Sequence, residues 1–122
     1  MSARFIKAAV IYFLIGTVLG LVMGSAQAFE YTSVHAHINL AGWASLAIIG
    51  LIYKAYPELG EARLAKIQFW LHNVGLPLLI VSMVLFAAGN DDIGIPFAVL
   101  GGLLIIVSVI LMTVNVFKRL KA

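Results

Sequence analysis

Four long apolar runs, joined by links of only a few residues, constrain this 122-residue chain more than any other feature. They fall at roughly 5–26, 34–56, 67–88 and 94–117, and each is long enough to cross a hydrocarbon core as a helix, which takes about 20 residues. Lipid offers the backbone no hydrogen bonds, so such runs must satisfy their own peptide groups, which they do as helices. The links, at 27–33, 57–66 and 89–93, are too short for anything but a reversal. The expectation is an all-α membrane protein: four transmembrane helices, up-down, forming a single domain over 1–122. Only 11% of the residues are charged, against about a quarter in soluble domains. The absence of cysteine excludes disulfides, thiolate metal centres, iron–sulfur clusters and covalently attached c-type haem.

Charge sorts the links. Arg4, Lys7, Lys54, Arg63, Lys66, Lys118, Arg119 and Lys121 belong to one side, whereas the other side carries Glu30, Asp91 and Asp92. The positive-inside rule then puts both termini in the cytoplasm and the start of the second helix at the outer face of an inner (plasma) membrane. The net charge of +3 comes from residues at segment ends and gives no reason to expect a nucleic-acid partner. One rival concerns the first run: Arg4 and Lys7, an apolar stretch and then SAQA also fit a cleavable signal peptide. The length of the run favours a retained helix.

Ionisable residues at membrane depth are functional hypotheses by default. Lys54 can snorkel from a helix end. The three histidines remain: His35 and His37, one residue apart near the outer face, and His72 in the third run. Residues two apart on an α-helix point about 200° from each other. Two such imidazoles cannot easily share one small ion, but they can serve two centres on opposite flanks. Haem suits that geometry, as an apolar plate held between helices by axial imidazoles. Asn39, Thr32, Ser33 or a turn carbonyl could hold the second ring nitrogen, and Trp43 is a candidate pocket residue. By depth, His72 should lie about 15 Å or more along the membrane normal from the pair. It reads first as a hydrogen-bonded structural residue, with Asn73 as an interhelical partner, and second as a metal ligand or proton relay.

The remaining features read as packing. Gly16, Gly20 and Gly24 form overlapping GxxxG patterns, and Ala41, Gly42, Ala47 and Gly50 are similar small contact residues. Pro77 and Pro96 should kink or start helices. No nucleophile–base pair, phosphate loop or hydrolytic carboxylate pair is present, and Asp91 and Asp92 fit a solvated turn.

The segment HAHINLAGWASLAIIGLIYKAYPELG, followed by AKIQFWLHNVGLPLLIVSMVLFAAG, resembles the catalytic subunit I of haem–copper oxidases in its tenth and eleventh helices. The resemblance rests on the HxH opening, the run from His37 to Pro57 and the FWL-containing start of the next helix at 65–71. The opening also resembles the HAH helix of NnrS-type haem and copper membrane proteins, with Gly42 and Pro57 in register. The similarity covers roughly 34–89.

The oxidase resemblance implies that His35 and His37 ligate two different haems. It also implies an assembly. The subunit I fold is three four-helix repeats in approximate threefold array, so three copies of this chain would resemble an oxidase core. His35 of one subunit and the following subunit's His37 would then clamp one haem b, giving a bis-histidine ring closed by threefold symmetry. Filled axial positions imply electron transfer, with quinol or another redox partner as donor. The copper-site histidines of the oxidases have no counterpart here, so copper is a lesser expectation and a haem–copper catalytic centre is not expected. GNDDI at 89–93 is acidic where the oxidases place arginines for the haem propionates. Two alternatives are a nitric oxide- or oxygen-handling haem protein, as the NnrS-type resemblance suggests, and a haem-free metal-binding or scaffolding membrane subunit.

Overall fold

The computed structural model describes residues 1–121, which are helical almost throughout, with no strand among the described residues. The elements are α1 (Ser2–Ala26), a 3-10 turn (Phe29–Tyr31), α2 (Thr32–His37), a π-helical segment (Ile38–Ala44), α3 (Ser45–Ala55), α4 (Pro57–Gly60), α5 (Arg63–Ala87) and α6 (Asp91–Arg119). From the turn to the end of α3 the chain is one continuous helical span. Four helices are therefore long and apolar enough to cross a membrane: Ser2–Ala26, Phe29–Ala55, Arg63–Ala87 and Asp91–Arg119.

Local chemistry sets the ends. α1 closes at Gln27, which takes the left-handed conformation (φ 53°) and lets the Ala28 N–H reach the Met23 carbonyl. Gly89 (φ 78°) does the same for α5, and the following Asn90 N–H returns to Leu85 at 2.8 Å. Pro57 occupies the first position of α4, where its missing N–H is no loss. α6 begins on Asp91 and Asp92 and ends on Lys118 and Arg119, each charge complementing the helix dipole. Every span starts before its apolar run. The second span starts at Phe29 rather than 34, α5 at Arg63 rather than 67, and α6 at Asp91 rather than 94. Pro77 and Pro96 lie inside α5 and α6 and start neither.

The chain packs as two helical hairpins, α1 against the second span and α5 against α6. The first is built on glycine. A Cβ at Gly20 would meet His35 Nε2 at 2.7 Å, one at Gly16 would meet Asn39 Oδ1 at 2.6 Å, and one at Gly42 would meet the Tyr12 ring at 2.6 Å. Small residues thus let the backbones approach, as the GxxxG reading expects for Gly16 and Gly20. Gly24 takes no part: nothing lies within 4 Å of its Cβ position. The second hairpin crosses at Gly75 and Gly101, where an added Cβ on either would stand 2.9 or 2.7 Å from the other's carbonyl oxygen.

The core lies at the end that carries the basic residues. Phe5, Ala9, Leu46, Ile49, Tyr53, Leu59 and Ala65 are buried together. Phe5 meets Tyr53 and Phe69 edge-on. Met1 and Ser2 share a small polar pocket with Lys54 and Glu61, and Asn115 of α6 donates to the Leu59 carbonyl. The first residues and the end of α6 therefore gather beside α4. Elsewhere the hairpins touch sparingly, leaving two apolar spaces of about 480 and 310 Å³ between them. The outer surface is apolar, as a lipid-facing surface must be; Leu21 is 73% and Phe117 86% exposed.

Candidate functional site

His35 and His37 sit in α2, which is regular α-helix, so their side chains leave on different flanks. The His35 ring rests on Gly20 of α1, with Nε2 against the glycine. Asn39, one turn on, uses the same face: its amide donates to the His35 carbonyl at 2.9 Å and packs over Gly16. His37 shares the other flank with Ser33. Its Nδ1 lies 2.8 Å from the Ser33 carbonyl oxygen. A carbonyl only accepts, so Nδ1 carries the hydrogen and Nε2 keeps its lone pair. That is the tautomer of an imidazole ready to bind a metal, its other nitrogen anchored on backbone.

Directly after His37 the helix widens. From Ile38 to Ala44 the backbone bonds i to i+5, a rare form that is frequent at functional sites. Two carbonyls of this segment gain side-chain partners. Ser45 Oγ donates to Leu40 at 2.6 Å, and His72 Nε2 donates to Ala41 at 2.8 Å. Trp43 stacks on Phe13 of α1, with ring centroids 4.4 Å apart and planes at 15°, and so helps to join α1 to the second span.

His72 differs from expectation in depth. It is level with Ala41, four residues from His37 and hence about 6 Å along the helix, not 15 Å or more. The reason is the added length of the helices: α5 begins four residues before the apolar run, which sinks His72 deeper, and the second span begins five residues before its own. His72 is 2% exposed. Its Nε2–H is committed to Ala41, and its Nδ1 faces the buried Ser108 hydroxyl at 3.5 Å. Both nitrogens thus have protein partners, and Asn73 bonds within its own helix to the Phe69 carbonyl instead of across to another. Among the described residues no three His, Cys, Asp or Glu side chains gather to hold an ion.

A buried polar cluster nearer the basic end was not foreseen. The Tyr53 hydroxyl donates to Gln68 Oε1, Asn115 bridges Arg119 and the Leu59 carbonyl, and Gln68, Ser108 and Asn115 are fully buried. Gln68 Nε2 has no partner. The signal was present as polar residues at helical spacing inside apolar runs: Gln68 with His72, and Ser108 with Asn115.

The two histidines of the pair differ in their surroundings: His37 has its Nδ1 on the Ser33 carbonyl, whereas the His35 ring has its Nε2 against Gly20 of its own hairpin. No protein-family model, curated protein or solved structure matches this chain.

Proposed function

We propose that this is a haem-b-binding integral membrane protein that works in electron transfer. One observation carries the reading: His37, at membrane depth, holds its Nδ1 hydrogen on the Ser33 carbonyl and keeps Nε2 free beside a π-helical segment. A buried or half-buried imidazole with a free lone pair in lipid is costly unless it has a partner, and haem iron supplies one. In the full form of the proposal three chains form a ring. Each haem would be held by His37 of one subunit and His35 of its neighbour, which would require His35 to leave Gly20. Haem iron would supply one-electron chemistry, and the chain would supply axial imidazoles, an apolar enclosure and a fixed orientation. The oxidase resemblance of residues 34–89 supports the same ligand pair.

A second reading, a nitric oxide- or oxygen-handling haem protein, is favoured by the placement of His35. With that ring on Gly20, His37 would be the one imidazole of the pair free to hold a haem, and a diatomic gas could then bind there.

The test is the optical spectrum of the purified protein, oxidised and dithionite-reduced, with pyridine haemochrome quantitation and carbon monoxide addition. Electron transfer predicts about one b-type haem per chain, unreactive with carbon monoxide and lost in both His35→Ala and His37→Ala. Gas handling predicts loss in His37→Ala alone and rapid carbon monoxide binding. No Soret band after expression with ample haem overturns both and leaves a scaffolding or metal-binding subunit.

A further inference from the structure

Polar side chains run in a column along the seam of α5 and α6, and the column has one break. At the basic end a polar pocket of about 220 Å³ is lined by Ser2, Tyr53, Lys54 and Glu61 among others. Tyr53 bonds to Gln68, and Asn115 with Arg119 closes the same cluster from α6. One turn further along α5 the column resumes with His72 and Ser108 and ends at the Ala41 carbonyl. Both sides of the break are short of partners. Among the described residues Gln68 Nε2 has none, and the Ser108 hydroxyl meets His72 Nδ1 at 3.5 Å, the limit of a hydrogen bond. Gln68 and Ser108 are both fully buried. Gln68 precedes His72 by four residues, about 6 Å along the helix, which is roughly two hydrogen bonds placed end to end. On α6 the position between Ser108 and Asn115 is Met112, a weak acceptor, and the space of about 310 Å³ touches Met112 and His72 together.

We propose that Gln68 and Ser108 share a buried water, and that this water completes a one-sided proton inlet from the basic end to His72. An internal water needs more than one polar partner, and the break supplies them. Gln68 Nε2 donates to the water, and the water donates to Ser108 Oγ. The Ser108 hydrogen then turns to His72 Nδ1, whose lone pair is open because Nε2 carries the hydrogen given to Ala41. For uptake, the Ser108 hydrogen passes to Nδ1, a water hydrogen replaces it, and the water recovers one from the Tyr53 hydroxyl. Tyr53 is reprotonated from the polar pocket. The net result is an imidazolium at His72 and one proton fewer at the basic end. Among the described residues no carboxylate or cation faces His72: α6 offers Ser108, the second span offers the Ala41 carbonyl and Ser45, and the rest of the adjoining space is apolar. Beyond His72 the seam closes, because Gly75 and Gly101 set backbone against backbone and leave no room for water. The inlet goes beyond the haem reading and stands without it.

The experiment uses the full chain, nitrogen-labelled at histidine and glutamine, in proteoliposomes of one orientation with different pH inside and outside. Solid-state NMR reads it, and the His72 signal is the one lost in His72→Gln. Water-edited spectra should show transfer from water to the Gln68 amide. The charge state of His72 should follow the pH of the compartment at the basic end. Proton exchange at Nδ1, read from the line shape, should slow by about tenfold or more in Gln68→Leu and in Ser108→Ala, the rate equivalent of one lost hydrogen bond. Ser108→Thr keeps the hydroxyl and should restore the rate, which separates a lost link from a damaged fold. Ser45→Ala should change nothing, since that hydroxyl lies beside His72 but bonds to Leu40. A dry Gln68 amide, a His72 ring that stays neutral, or a charge state that follows the pH of the opposite compartment overturns the proposal. Exchange slowed in Ser108→Ala but not in Gln68→Leu removes Gln68 and its water from the path.

Discussion

His72 of α5 donates from Nε2 to the carbonyl oxygen of Ala41, 31 residues earlier and in the π segment, across 2.8 Å. The bond joins the two hairpins where they otherwise face an apolar space, so a buried histidine here ties one half of the molecule to the other. His72→Ala should lower stability by about 1–2 kcal/mol, since Ser108 and the Ala41 carbonyl lose a partner together. His72→Gln, which keeps a donor, should recover part of it. Unfolding in mixed micelles measures both; equal loss in the two variants would show that ring volume, not the hydrogen bond, matters.

The crossing of α5 and α6 at Gly75 and Gly101 sets backbone against backbone. Gly75→Val or Gly101→Val should destabilise by about 3 kcal/mol or more, because a carbonyl oxygen cannot move aside as a flexible side chain can. Gly102→Ala is the control. Nothing lies within 4 Å of its Cβ position, and alanine there should be neutral or stabilise by up to about 1 kcal/mol through better helix propensity. Thermal melts of the three variants decide the matter.

Gly20 is the seat of His35, and Gly24, one turn along, is open. Gly20→Ala should push the imidazole off α1 while Gly24→Ala leaves it in place. If His35 ligates haem only after leaving Gly20, Gly20→Ala should reduce carbon monoxide access and raise the bis-histidine fraction in the reduced spectrum. A spectrum unchanged by Gly20→Ala and altered by Gly24→Ala would remove His35 from the ligand set.

Tyr53 and Gln68 form a buried pair in which one amide hydrogen of Gln68 is unmet. Tyr53→Phe and Gln68→Met should each cost about 1–2 kcal/mol by stranding the other partner, while the double variant should cost less than their sum. A double-mutant cycle in detergent reads the coupling directly, and strict additivity would mean that the pair contributes nothing.

The spans were legible because hydropathy and length decide membrane helices almost alone, and Gly16 and Gly20 were legible because small residues four apart form a seat. The helix starts were not, because helical backbone runs on through 29–33, 63–66 and 91–93, residues that hydropathy scores as links. The divergence of His35 and His37 followed from helical spacing. Their unequal surroundings did not, because these depend on which flank meets α1. Attention to ionisable groups alone passed over Gln68, Ser108 and Asn115, and a search for GxxxG passed over Gly75 and Gly101, whose partner lies on another helix.

The π-helical segment at Ile38–Ala44 has a consequence in genetic terms. A turn that bonds i to i+5 holds one residue more than an α turn, so it behaves like a single-codon insertion absorbed without breaking the helix. Deleting one residue within it should leave a continuous span, yet turn the histidine pair by about 100° against everything from Ser45 onward. The direction in which this protein presents its imidazoles is set by that one extra residue, and a lineage that lost it would keep the same four helices while aiming them at something else.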